Sequence, residues 1–289
     1  MVQYIEAKSI LSKLKSKDPY FGLTYNMNLY RGCQHGCIYC DTRSDCYGIG
    51  DISTISAKKN ALELLNKELA SKKIRATVGT GSMNDPYMPI EKKLGITRDA
   101  LKTLDYHKFP VHIITKGSLV ERDYDILQNI SKIYAAVSFT ITSADDVLAR
   151  KIEPHAPSSS QRFAALEFLA KKGIYTGITL MPILPFINDT KENIELILKR
   201  AKDAGAAYII PMFGVTLRKG SRDYFYNALD KQFPDIKLNY QNIFGEQYEC
   251  MSPNYRILQD TFCELSEKLD IPSGINFYEP STNQQLSIF

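Results

Sequence analysis

The chain has 289 residues, 44% of them apolar and 24% charged, with a formal net charge of +4. That is enough apolar material for a substantial core, and too little net charge to mark a nucleic-acid protein on charge alone. No stretch approaches the roughly 20 apolar residues of a membrane span. The opening "MVQYIEAKSILSKLKSKD" lacks the apolar run of a secretory signal, so a cytoplasmic setting is expected.

In chain order, residues 1–23 read as an N-terminal extension. Its "KSILSKLKSK" is expected as an amphipathic helix with Ile10, Leu11 and Leu14 turned inward. Residues 24–215 alternate short β-rich runs with helical patterns. The strand candidates are "LTYNMNL", "RATVGTG", "VHIITKG", "YAAVSFTI", "GIYTGITLM" and "AAYIIPMFG". Between them, Leu62, Leu65 and Leu69 recur at helical spacing, as do Phe163, Leu166 and Leu169, then Ile194, Ile197 and Ala201. Asp189-Thr190 caps one helix that Gly205 stops, and Gly173 closes another. Such alternation predicts an α/β fold with a parallel sheet or barrel.

Residues 216–280 break the alternation and are expected to cover the open side of the barrel, with a helix at "NYRILQDTFCELSEKL". In "LRKGSRDYFY", Arg218, Lys219 and Arg222 alternate with Tyr224, Phe225 and Tyr226. Two readings stand for it: a site for a stacked anionic substrate, or a helix start with its apolar face buried.

The chemistry concentrates in "YRGCQHGCIYCDTRSDCY", residues 30–47. Cys33, Cys37 and Cys40 form C-x3-C-x2-C directly after the first strand, with Gly32 and Gly36 allowing tight wrapping. Disulfides are rare in the cytoplasm, so these thiols read as ligands for iron–sulfur or zinc. Structural zinc wants four ligands and would have to recruit His35 or Cys46, which favours iron–sulfur.

With an aromatic residue, Tyr39, just before its last cysteine, this motif resembles the signature of radical S-adenosylmethionine (SAM) enzymes. The later strand ends, "GTGSMNDPYMPIE", "ITKG", "VSFTITSADDVLARKIEPHAPSSSQR" and "GITLMPILPFIND", resemble the spore photoproduct lyase-like branch of that family. The resemblance implies a partial (β/α)6 TIM-like barrel. It also implies a [4Fe-4S] cluster on Cys33, Cys37 and Cys40 whose fourth iron is open to SAM. Asn84 and Asp85 would then hold the SAM amino group and Lys116 and Ser138 its carboxylate, while Tyr39, Met181 and Pro182 border the adenine. Glu153 and Arg162 are weaker cofactor-binding candidates. The bland alternatives are a turn at "NDPY", a solvated Lys116, a sheet-end role for Ser138, a helix cap at Ser158–Ser160 and a surface Arg162. His107 and His112 read as structural, while His35 and His155 lie near the site.

Two positions depart from the lyase. Ser82 stands where the lyase has a hydrogen-donating cysteine, and Asp41 where it has a tyrosine. The lyase reaction itself is therefore not expected. Cys46 and Cys250 are candidate hydrogen donors, and Cys263 reads as a buried small hydrophobe. The implied substrate is DNA or RNA, with an electron donor such as flavodoxin or ferredoxin; a peptide or small metabolite is the runner-up. A zinc-binding nucleic-acid adaptor is a reading of a different class. Residues 281–289 form a tail in which Gln285, Leu286, Ser287, Ile288 and Phe289 resemble the peptide that docks into bacterial sliding clamps. Leu286, Ile288 and Phe289 would fill its apolar pocket, and Gln285 would fix the register.

Overall fold

The computed structural model describes residues 2–16 and 18–280; the clamp-like tail lies outside them. Among the described residues, twelve strands form three sheets. A small sheet joins β1 (Gln3–Ile5), β4 (Tyr30–Arg31) and β5 (Ser56–Lys58). The main sheet carries β2 (Leu11–Lys13), β3 (Tyr25–Met27), β6 (Val78–Thr80), β7 (Val111–Thr115), β8 (Ala135–Thr140), β9 (Tyr175–Leu180) and β10 (Ile209–Pro211). A third, two-stranded antiparallel sheet pairs β11 (Gly214–Thr216) with β12 (Glu249–Met251).

In the main sheet β3, β6, β7, β8, β9 and β10 run parallel in chain order. These are the six predicted strands, wound as successive βα units into a partial barrel. The helices α1 (Ala61–Ala70), α2 (Glu91–Leu94), α3 (Ile96–Tyr106), α4 (Tyr124–Ser131), α5 (Asp146–Ile152), α6 (Ser159–Lys171) and α7 (Lys191–Asp203) fill the connections. All six residues of β8 are buried, as a parallel strand covered on both faces must be. Ala135, Val137 and Phe139 join Leu166 and Leu169 in the main core, while Ala136 and Tyr208 pack in a separate cluster on the other side of the sheet. Helix α6 starts at a capping box between Ser158 and Gln161, and Thr190 caps α7. Among the described residues no helix is long and apolar enough to cross a membrane.

Two expectations change. The segment expected as an amphipathic helix is instead edge strand β2, antiparallel to β3. The backbone N–H groups of Ile10 and Leu11 donate to the Glu68 carboxylate of α1 at 3.0 and 2.7 Å. The free edge of β3 and that carboxylate supply partners that a short isolated helix lacks. The helix expected at residues 254–269 forms as α10 (Tyr255–Lys268) but packs on α7, its Leu258 and Phe262 joining the main core. The cover is supplied by the β11–β12 antiparallel pair and the helices that connect its strands, α8 (Ser221–Gln232) and α9 (Ile236–Phe244). Val215, Leu217, Phe225, Tyr240 and Phe244 pack there against Ile38 and Tyr39 of the cysteine loop. "LRKGSRDYFY" is thus a helix start with Phe225 buried.

Candidate active site

A cavity of about 330 Å³ opens at the C-terminal ends of the parallel strands, where sites in parallel α/β folds lie. The loop after β3 brings Cys33, Cys37, Tyr39 and Cys40 to it, and the loop after β6 brings Gly81 through Asp85. Thr115 ends β7 and Lys116 follows it, Thr140 ends β8, Met181 and Pro182 follow β9, and Met212 follows β10. Nine of the predicted site residues therefore meet in one place: the three cysteines, Tyr39, Asn84, Asp85, Lys116, Met181 and Pro182.

The cysteine loop is pinned at both ends, by Cys33 N–H donating to Ile52 at 2.8 Å and Ile38 N–H to Ile152 at 2.9 Å. Gly32 has φ 85°, and a Cβ there would lie 2.5 Å from the Thr54 carbonyl oxygen, so only glycine fits. All three cysteines are free thiols. Burial, with Asp85 adding to it, pushes the Cys33 thiol up to about 11, and burial pushes Cys37 up as well. Such thiols ionise when a bound cation replaces the missing solvation. Among the described residues no three His, Cys, Asp or Glu side chains converge on a single-ion site. One zinc needs sulfur donors within about 2.3 Å of a single point, whereas the thiolates of a cluster each bind a different iron. Three thiols facing one cavity thus fit an iron–sulfur cluster.

Behind the cavity wall lies a buried ionic network. Asp85 accepts from Thr115 Oγ1 at 2.6 Å, Lys116 N–H at 2.6 Å and Tyr87 N–H at 2.8 Å, with His35 Nε2 at 3.1 Å. Burial works against its ionisation, but His35 and these donors outweigh it and hold the pKa far below the ordinary carboxylate value. Asp85 therefore ties the β6 and β7 loops to the cysteine loop, and Asn84 Nδ2 does the same by donating to Tyr30 O at 2.8 Å. Lys116 Nζ lies 5.6 Å from the centre of the Tyr39 ring and 4.0 Å from Glu153 Oε1. Burial opposes its charge, and the Cys37 and Glu153 charges more than offset that.

Glu153 and Arg162 do not line the cavity. They form a fully buried ion pair at 2.5 Å, and the Tyr39 hydroxyl donates to Glu153. Arg162 also donates to Thr140 O and Pro157 O, each at 2.9 Å, which turns it inward from α6. Both act from behind Tyr39 and Lys116 as supports. Ser138 is also displaced from its expected role. Its hydroxyl is buried between His112 Nε2 and Tyr208 Oη, both at 2.8 Å. Residues two apart share a strand face, so Thr140, one layer further along β8, reaches the cavity instead.

Sequence reading missed Thr140, Thr42, Met212 and Thr216 as lining residues. The strand-end rule applied to β8 and β10 would have found Thr140 and Met212. Asp41 and Ser82 also line the cavity. Cys46 is exposed, with its sulfur 3.6 Å from Arg218 Nη1, and Cys250 is buried in the cover. Cys263 is exposed, because it lies on the α10 face turned away from α7. His112 is buried in the sheet interior and His107 bonds Asn66 at 2.7 Å, both structural.

The sequence profile of the radical SAM superfamily matches residues 27–210, from β3 to β10. The chain belongs to the radical SAM superfamily. It is accordingly an enzyme that uses a [4Fe-4S] cluster and SAM and needs an electron donor, and the zinc-adaptor reading falls away. An uncharacterized protein of Methanocaldococcus jannaschii is 32% identical over 239 residues, covering 80% of this chain and 86% of that one. A radical SAM Nα-GlyT isomerase of Pseudomonas phage M6 is 25% identical over 181 residues, covering 63% of this chain and 37% of that one. In fold, the chain is similar to spore photoproduct lyase complexed with dinucleoside spore photoproduct, with a TM-score of 0.69 at 15% identity over 93% of this chain and 79% of that one.

Proposed function

We propose that this radical SAM enzyme carries its cluster on Cys33, Cys37 and Cys40 and acts in the cytoplasm on nucleic acid, as a repair or base-modifying enzyme. The observation that carries the cofactor reading is the convergence of these thiols with Asn84, Asp85, Lys116 and Met181-Pro182 on one cavity. When bound, the cluster supplies one electron that splits SAM and yields a 5′-deoxyadenosyl radical able to abstract hydrogen from a C–H bond. The chain's own part is binding and orientation. Lys116 brings positive charge for the SAM carboxylate, with Thr140 taking the place first given to Ser138. Asp85 and Asn84 offer acceptors to the SAM ammonium, and Tyr39, Met181 and Pro182 offer apolar surface to the adenine. Glu153 and Arg162 hold Tyr39 and Lys116 in place.

Nucleic acid is favoured by the company the chain keeps: a phage relative named for a GlyT isomerisation and a fold shared with an enzyme solved with a dinucleoside. Ser82, hydrogen-bonded to Asn26 at 2.9 Å, argues against the lyase reaction itself, since its O–H bond is too strong to replace a thiol as hydrogen donor. The test is to reduce the reconstituted enzyme with SAM and deuterated DNA, RNA, peptide or metabolite candidates and follow deuterium into 5′-deoxyadenosine. Transfer from a nucleic acid supports the reading; transfer from a peptide or metabolite alone replaces it. Gln285, Leu286, Ile288 and Phe289 are proposed to dock on a bacterial sliding clamp. Their deletion should abolish clamp binding and spare SAM cleavage, and unchanged binding would reject that contact.

A further inference from the structure

We infer that the seam between the cysteine loop and the cover is a stacking platform for single-stranded nucleic acid, on which the nucleotides flanking the target lie while the target base enters the cavity. The inference rests on the nucleic-acid reading proposed above. It adds the form of the strand and the residues that hold it.

Two arginine–tyrosine stacks cross this seam. Thr42 lines the cavity, and the next residue, Arg43, sets its guanidinium 3.6 Å from the centre of the Tyr224 ring on α8. Asp41 also lines the cavity and faces Arg218 at 3.8 Å, and the Arg218 guanidinium lies 4.7 Å from the centre of the Tyr248 ring. Each stack therefore starts one residue or one contact away from the cavity wall. Main-chain and hydroxyl contacts fix the seam itself: Asp45 N–H donates to Lys219 O at 3.1 Å, and the Ser44 and Ser221 hydroxyls meet at 3.3 Å. The start of α8 buries Phe225 and leaves Tyr224 41% exposed, and Tyr248 is 43% exposed. A ring held against a guanidinium has a fixed orientation, and at this exposure it still offers apolar area to an incoming base.

Hydrogen bonding and charge both point to the flat surfaces as what a partner meets. Arg218 Nη1 donates to the Tyr47 hydroxyl at 3.1 Å and Nη2 to the Tyr248 hydroxyl at 2.9 Å, so its edge is engaged and its plane is what remains. Arg43, Arg218 and Lys219 are set against Asp41 and Asp45 on the same segments, and Asp223 and Glu249 stand exposed on the cover. Net charge is therefore small and does not by itself draw in a polyanion. Stacking on aromatic rings and arginine planes needs no such excess and tolerates any base, because every base has a π-face. The cavity sets the form of the strand. A base paired inside a duplex cannot reach a site at the bottom of a loop-walled cavity, and when it leaves the stack its neighbours lose a partner that an aromatic side chain can replace.

The experiment measures binding of the reconstituted holoenzyme to a fluorescein-labelled single strand of about 12 nucleotides and to the matching duplex, as DNA and as RNA, by anisotropy. The single strand should bind more tightly than the duplex. The Tyr224→Ala/Tyr248→Ala variant should weaken single-strand binding by about tenfold. Tyr224→Phe/Tyr248→Phe keeps both rings and should retain wild-type affinity, which a role confined to holding the cover through the Tyr248 hydroxyl would not allow. Tyr106→Ala, at the end of α3 and so at the opposite end of the strands from the cavity, removes an even more exposed ring and should change nothing. In a second measurement, strands carrying 5-iodouracil are irradiated on the wild-type enzyme, and the crosslinked peptides should contain Tyr224 or Tyr248. Unchanged affinity in the alanine variant, or crosslinks confined to other peptides, overturns the platform and leaves the nucleic-acid reading standing. Tighter binding of the duplex overturns the single-stranded form, and a wild type that binds neither DNA nor RNA overturns the platform together with the nucleic-acid reading.

Discussion

Arg162→Met tests whether the buried network behind the cavity is what positions Tyr39 and Lys116. Arg162 and Glu153 are 1% and 0% exposed and lie 2.5 Å apart, so water cannot take over either charge. Removing the guanidinium leaves the Glu153 carboxylate with the Tyr39 hydroxyl and the Lys116 ammonium at 4.0 Å. Breaking a buried pair from one side costs about 3–5 kcal/mol, against a whole-domain stability of roughly 5–15 kcal/mol. The variant should therefore fold but unfold at much lower urea. The double variant Glu153→Gln/Arg162→Met removes both charges and should cost about 2 kcal/mol less than the two single changes added together.

The pH dependence carries a second sign. Burial opposes Glu153 ionisation, yet Arg162 and Lys116 hold its pKa below the ordinary value, so in the wild type its contribution is present above the unfolded pKa and lost as pH falls through the folded one. Without Arg162, burial outweighs Lys116 and the Tyr39 hydrogen bond, and the folded pKa rises. The gap between wild type and Arg162→Met should then narrow from pH 7 to pH 5. Urea unfolding of the four apoproteins by circular dichroism, at both pH values under reducing conditions, measures this. A single-variant cost below about 1 kcal/mol, or strict additivity in the double variant, would refute the reasoning.

Replacing Cys33, Cys37 or Cys40 by Ala should abolish bound iron and visible absorbance after anaerobic reconstitution, while far-ultraviolet circular dichroism stays native; Cys263→Ala should retain iron. Burial depresses the His112 pKa from 6.5 to about 4, so the stability it withholds from the protonated form is intact above pH 6.5 and falls by about 3 kcal/mol as pH drops toward 4. His112→Gln should flatten that part of the curve. Gly81 has φ 104° and a Cβ there would meet Ile114 O at 2.0 Å, so Gly81→Ala should cost more than about 2 kcal/mol in thermal unfolding, and Gly48→Ala, in open space, about 1. Cys46→Ser/Cys250→Ser should keep full substrate turnover, because neither sulfur lines the cavity; product lost while 5′-deoxyadenosine still forms would identify one of them as the hydrogen donor.

The six parallel strands were legible because each is a short apolar run bounded by turn signals, and burial on both faces preserves that pattern. Strand β2 was not, because a three-residue edge strand leaves no periodicity to read. Helix α10 was legible as a helix but not in its place, since an amphipathic stripe shows which face is buried and says nothing of what buries it. Ser138 and Thr140 lie on the same face of one strand, so the choice between them depended on how far β8 runs toward the cavity. Glu153 needed a partner 114 residues away, Tyr39, before its role as a support and not a contact became visible.

The cavity divides into two parts under different constraints. On the cofactor side, Asp85, Lys116 and Tyr39 are each locked by buried partners reaching across several loops, so a change at one disturbs the rest. On the other side, Asp41, Thr42, Ser82 and Thr216 come from the tail of the cysteine loop, the loop after β6 and strand β11 of the cover. Asp41 there accepts the Tyr47 hydroxyl at 2.9 Å and the Ser44 hydroxyl at 3.1 Å and faces Arg218 at 3.8 Å. Both departures from the lyase, Asp41 and Ser82, fall on this second side. On the function proposed above, the buried network would keep SAM chemistry fixed while changes at the rim alter the target.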